Sequence, residues 1–483
     1  MGKVPFHVSL AACVAAGLPA VASAASDAEV ESLRREIEAL KAEYQQRISA
    51  LEAQVQQFQA NSNNVGATAA VNQEVAAEQA QVAAAAAPAE APAQAPAATA
   101  SNPTAFNPAI SLILTGNYAN LSQNPDDYAI QGFIPAGDGV GPGDRSFNLG
   151  ESELTIAANV DPYFMANFTA SVTSDNEIEI EEAYFRTTAL PFGFNVKGGQ
   201  FLSSVGYLND VHSHNWDFVD LPLVYQAFFN GQMAVQGAQV KWVAPLDEVL
   251  LEVGTESGNG NYYPGTTLTR NGLNGYNAYV HLGGDIGDTI AWRTGLSYVD
   301  LHADDREFDE PNPDGGNSTS AFNGSSTTWI ADAELKWTPI GDPRNQYLKL
   351  QGEYMQRRED GHLSYLYDAS DLDGSYRSDQ SGWYVQGVYR FLPRWRIGAR
   401  YDSMDSGTMK IGLVQQGLLG PDDFPLLLPG SPDRTSVMID WSPTEFSRLR
   451  AQYAWDKASA GPTDDEFFLQ YIFAIGAHGA HKF

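Results

Sequence analysis

The stretch 467–483, FFLQYIFAIGAHGAHKF, decides the fold. Stepping back in twos from Phe483 gives His481, Gly479, Ala477, Ile475, Phe473, Tyr471, Leu469 and Phe467. The other register holds Lys482, Ala480, His478, Gly476, Ala474, Ile472 and Gln470. One face is rich in aromatic and aliphatic groups and the other is smaller and more polar. A period of two over this length specifies a strand. An apolar face bounded by aromatics is what a strand needs to face lipid in a closed membrane barrel.

The beginning of the chain fits that setting. Residues 1–24 read as a secretory signal, with Lys3 before an apolar run from Val8 to Val21 and Ala22-Ser23-Ala24 as the cleavage motif. The run is too short to cross a bilayer. Cys13, the only cysteine, lies inside it, so the mature chain is expected to carry neither thiol nor disulfide. Leu10-Ala11-Ala12-Cys13 also has the form of a lipoprotein processing box, and that alternative stays open.

Residues 27–59 place Val30, Leu33, Ile37, Leu40, Tyr44, Ile48, Leu51, Val55 and Phe58 at steps of three and four. This is a coiled-coil seam with one stutter, too narrow to bury itself alone, and it implies self-association. Residues 60–105 are rich in Ala, Gln and Pro and read as an extended spacer. From 106 to 483 the pattern is all-β: about 16 strands of a transmembrane antiparallel barrel. Seven tight connections are marked by clusters such as Asp161-Pro162, Pro245-Leu246-Asp247 and Leu392-Pro393-Arg394. Eight others are mostly long, including 122–145, 205–232, 301–325, 359–381 and 407–434. Short turns at one end and long loops at the other put both termini, and hence the coiled coil, in the periplasm.

With the aromatic register outward, Arg293, Lys336, Lys349, Arg390, Arg396, Arg400, Arg448 and Arg450 are expected to line the lumen, together with Glu177 and Glu179. Glu181-Glu182 breaks the alternation and predicts a bulge. A lumen of this size is too wide for wall side chains to fill, so mixed basic and acidic walls predict solute or ion selectivity. Loop 205–232 is apolar for an exposed segment and is expected to fold inward as a constriction. It carries His212, His214 and Asp217, a pattern that would suit zinc; no other cofactor is expected.

Removing Lys3 leaves 27 basic against 59 acidic residues, a charge that repels polyanions and excludes a nucleic-acid partner. No local catalytic signature is present, so an enzyme is not expected. The order of signal, seam, spacer and strands resembles the phosphate-selective porin O/P-like family, with local likeness at Phe147–Leu154 and Val196–Phe201. The resemblance implies a homotrimeric outer-membrane channel in contact with lipid, passing small solutes or ions. That family's phosphate preference needs a dense basic lining, which this acidic chain lacks. A weaker likeness of 212–220 and 476–483 is to zinc-regulated outer-membrane receptors. Two other readings stay open: a metal-binding or metal-uptake barrel, and a structural barrel tethered to peptidoglycan by its rod.

Overall fold

The computed structural model describes residues 108–476, apart from 138–139, 174–176, 261–270, 312, 314, 340 and 368–369. The signal, the seam at 27–59, the spacer and the last seven residues lie outside the described residues, as do His478 and His481.

Seventeen strands form one sheet. In chain order, β1 is Ala109–Leu121, β2 Ser146–Leu149, β3 Ser152–Asn159, β4 Phe164–Val172, β5 Ile178–Thr187, β6 Phe194–Leu202, β7 Ala234–Val243 and β8 Val249–Gly258. Then come β9 Gly275–Ile286, β10 Ile290–Pro311, β11 Asn317–Trp337, β12 Tyr347–Tyr367, β13 Ser370–Leu392, β14 Trp395–Ile411, β15 Asp433–Thr444, β16 Ser447–Asp456 and β17 Asp464–Gly476. Both β2 and β3 pair with β1, so they are two halves of one barrel strand interrupted at Gly150-Glu151. β1 also pairs antiparallel with β17, from Ser111↔Gly476 to Leu121↔Glu466, and this closes a sixteen-strand barrel. Closure leaves no sheet edge, as a lipid setting requires.

The outward register is the expected one. Leu469, Tyr471, Phe473 and Ile475 of β17, and Trp395, Ile397 and Tyr401 of β14, point away from the lumen, whereas Gln470, Arg396 and Arg400 are buried inside. Six of the seven short turns fall at their marked clusters, and the seventh turns at Glu445-Phe446, just past Ser442-Pro443-Thr444. The other end differs from expectation. Segments 301–325 and 359–381, read as loops, are continuations of β10–β11 and β12–β13, joined by short connections. At about 3.3 Å per residue, the 21 residues of β12 run about 70 Å, far more than an apolar belt about 25 Å tall needs. Above Tyr354 the outer face of β12 turns polar, with Gln356, Arg358, Asp360 and His362 exposed. Arg358 pairs there with Asp379 at 2.8 Å. The inner face of the same extension carries the buried ion pair of Glu359 with Arg306, beside Arg357, and joins a core containing Phe308, Phe322, Leu363, Tyr365, Tyr376 and Met404. Loop residues Phe133, Leu413 and Phe424 complete that core. The long-loop end of this side of the barrel is therefore a packed cap.

Candidate functional site

Loop 203–233, after the fifth barrel strand, enters the lumen. Its apolar residues explain why. Pro222 opens a seven-residue helix, α1 (Leu223–Phe229), and Asn230 in the left-handed conformation closes it. All seven helical residues are buried, which is the pattern of a helix surrounded by protein on every side. The helix packs on β13 and β14.

The entry of the loop is fixed by Glu353 of β12. Its carboxylate accepts the backbone N–H of Tyr207 at 3.0 Å and of Leu208 at 3.2 Å. It also accepts the hydroxyls of Tyr225 at 2.9 Å and Tyr384 at 2.7 Å. Gly206 sits beside this knot with φ +64°, and a Cβ there would collide with the Glu353 carboxylate and the Tyr225 hydroxyl. Gly206→Ala is expected to lower stability by about 1–3 kcal/mol through overpacking, read as a lower thermal unfolding midpoint in detergent. An unchanged midpoint would show that the knot yields freely.

Ahead of α1 the loop is held by the basic residues of the wall. Asp217 pairs with Lys349 at 2.5 Å and Arg396 at 3.0 Å. Asp220 pairs with Arg400 at 3.0 Å and Arg434 at 2.7 Å, and accepts from Gln452 at 2.8 Å. Arg448 donates to the His214 carbonyl at 2.5 Å, Arg450 to the Trp216 carbonyl at 2.8 Å and Arg434 to the Leu221 carbonyl at 2.6 Å. Arg396 and Arg450 also share Asp440 of β15. Burial opposes ionisation of Asp217, yet Lys349 and Arg396 more than offset it and hold its pKa down to about 2. Asp220 is likewise lowered, its burial outweighed by Arg400 and Arg434.

The histidine end of the loop meets the opposite wall. A register shift between β4 and β5 at Thr169/Ala170 leaves Glu181 unpaired, the bulge expected from the sequence. It turns both Glu181 and Glu182 toward His212, whose Nδ1 lies 3.0 Å from Glu181 and 3.3 Å from Glu153, with Nε2 3.4 Å from Glu182. His214 Nδ1 lies 2.7 Å from Glu153, and the two imidazoles stack at 5.9 Å. Burial works against charging His212, but Glu153, Glu181 and Glu182 prevail and hold its pKa well above the ordinary imidazole value. The loop thus offers imidazoles to an acidic wall and carboxylates to a basic one.

Beside the loop lies a cavity of about 760 Å³, bounded by β1, β2, β4–β6, β17 and residues 140–144. Its ionisable lining is Asp144, Glu151, Glu177, Glu179, Glu181, Asp220 and His214; no Lys or Arg lines it.

Two expectations change. Asp217 does not join His212 and His214; the chain turns through Ser213–Asn215 and carries it to the basic wall, and Glu153 and Glu181 stand in its place. The expected basic residues do face inward, but Lys349, Arg396, Arg400, Arg448 and Arg450 grip the loop instead of lining the open cavity. Arg293 lies over the Tyr207 ring at 5.2 Å, and Lys336 and Arg390 each lie 5.2 Å from the Tyr347 ring. Glu177 and Glu179 line the cavity. Arg434, assigned to a loop end from the sequence, belongs to the basic ladder, the inward Lys and Arg side chains that grip the loop; the alternation Arg434, Ser436, Met438, Asp440 is the available signal.

No family model matches the chain. Among solved structures, it is similar to the trimer form of OmpT, an outer-membrane protein of Vibrio cholerae, at 12% identity and TM-score 0.47 over 77% of this chain and 100% of that one. The outer-membrane channel DcaP of Acinetobacter baumannii matches at 12% and 0.45 over 77% and 99%, and an anion-selective porin of Comamonas acidovorans at 10% and 0.45 over 77% and 100%. These values leave the reading of this barrel to its own geometry. In sequence it is 34% identical over 412 residues to an uncharacterized protein of Aquifex aeolicus, across 78% of this chain and 80% of that protein. The chain belongs to the family of that Aquifex aeolicus protein.

Proposed function

We propose that this barrel is a passive diffusion channel of a bacterial outer membrane that prefers cations, with solutes passing through the acidic cavity beside the inward loop. One observation carries the reading: the wall cations around the loop are taken up by it, and the cavity left over is lined by six carboxylates and no Lys or Arg. Carboxylates facing one passage through low-dielectric walls concentrate cations and repel anions. The channel is read as a homotrimer, an assembly supported by the narrow apolar seam that the sequence spaces over residues 27–59. Chemical cross-linking of the mature protein is expected to stop at three chains.

Liposome swelling tests the permeation reading. Vesicles carrying the protein are expected to swell several-fold faster in a small cationic solute than in an anionic one of equal size. Equal rates, or faster entry of the anion, would remove the acidic cavity from the solute path.

A further inference from the structure

The histidine end of the loop supports more than a contact between loop and wall. We propose that Glu153, Glu181 and His212 form a binding site for one divalent transition-metal cation of the zinc type. Three separate elements supply these residues: β3, the bulge of β5 and the inward loop. Their ligand atoms all lie within 4.8 Å of one another. The separations of 3.0 and 3.3 Å from His212 Nδ1 to the two carboxylates are close to the spacing of about 3.3 Å between donors at tetrahedral angles around zinc with bonds of about 2.0–2.1 Å.

Charge supplies an independent argument. Four carboxylates, Glu151, Glu153, Glu181 and Glu182, converge here, and Glu151 interacts electrostatically with both Glu153 and Glu181. Among the described residues none of the four lies within ion-pair distance of Lys or Arg; His212 meets Glu153, Glu181 and Glu182, His214 meets Glu153, and Lys197 acts on Glu182 from farther away. Across the lumen Asp217 and Asp220 each meet two basic side chains. A divalent ion would supply on the acidic wall the balance that guanidinium and ammonium groups supply opposite.

The surrounding groups suit a metal. His214 holds Glu153 at 2.7 Å, while the Leu202 N–H at 3.2 Å and Asn167 at 3.4 Å hold Glu182, the outer support that orients ligands. Glu151, Glu181 and His214 border the open cavity, which gives a path of entry. One imidazole with carboxylates favours zinc, cobalt or nickel over magnesium and calcium, which take oxygen ligands. The ion would take the place of the imidazole ring proton, which leaves to water, and would fasten the loop to the wall at the narrow side of the passage.

The experiment is calorimetric titration of the folded mature protein in detergent with zinc, repeated with cobalt to read the ligand field by absorption. The expected result is one ion per chain, with binding weakened at least tenfold in both His212→Gln and Glu181→Gln, and unchanged in His362→Gln, whose imidazole lies on the outer surface. Far-ultraviolet circular dichroism confirms that each variant retains its strands. Wild-type binding no tighter than that of His212→Gln, or equal weakening in His362→Gln, would overturn the site. Binding is read here without current, so failure of the metal site and failure of the channel reading give separate results.

Discussion

The double variant Asp217→Asn with Asp220→Asn is expected to conduct several-fold more per channel than the wild type, with a noisier open level and a weaker cation preference. The loop reaches the far wall through these two carboxylates, and each is matched by two basic side chains. Removing one partner of a buried ion pair leaves the other uncompensated at a cost of about 3–5 kcal/mol. Of the residues left behind, Arg396 keeps Asp440, Arg400 keeps Asp402 and Arg434 keeps Asp402 and Asp456, so among the described residues Lys349 is the one that loses its ion-pair partner outright. Two effects then act together: the constriction loosens, and positive charge appears on the wall of the widened lumen. Conductance reads the first and ion preference the second. A double variant with wild-type conductance would show that α1 and the Glu353 knot hold the loop unaided.

The same latch has a pH signature whose sign is fixed. Asp217 is depressed in the folded protein, so its contribution is complete well above the ordinary carboxylate value near 3.8 and is lost as pH falls toward about 2. Acid well below pH 4 should therefore loosen the wild-type channel in the direction of the double variant. Between pH 5 and 8 the latch itself should not change. Loss of the latch near neutrality would contradict the pairing of Asp217 with Lys349 and Arg396.

Neutralising the passage is the second large effect. Glu177→Gln with Glu179→Gln removes two carboxylates that line the cavity and are not gripped by the ladder. Their field acts over a Debye length, about 30 Å at 0.01 M salt and 3 Å at 1 M. The variant is thus expected to lose most of its cation preference at low salt and to resemble the wild type in molar salt. The loop anchors are untouched, so the open level should stay as quiet as in the wild type. A loss equally large at both salts would point to altered pore shape instead of charge.

Much of this was readable from residue order. The terminal strand declares its period in Leu469, Tyr471 and Phe473, and short clusters such as Asp161-Pro162 mark or adjoin every tight turn. The inward course of the loop was announced by LPLVYQAFF, too apolar for a loop in water. What stayed hidden depends on distance across the lumen. His214 and Asp217 are three residues apart, yet they serve opposite walls because a turn at Ser213–Asn215 redirects the chain. Strand pattern shows that Arg396 and Arg400 face inward but not that Asp217 and Asp220 come to meet them. The extensions of β10–β13 were read as loops because their outer faces leave the lipid and lose the aromatic marker. Their alternation persists on the inner face, in Leu363 and Tyr365.

The central claim is that the basic ladder is spent on the loop and the acidic wall sets the charge of the passage. Its most direct test is the reversal potential of the wild-type channel in a planar bilayer under a tenfold gradient of potassium chloride. The expected potential has the sign of potassium permeation and approaches, without reaching, the limit of about 59 mV for a single charge. A potential of the opposite sign, showing chloride as the more permeant ion, would mean that the arginines face the moving ions and would contradict the account.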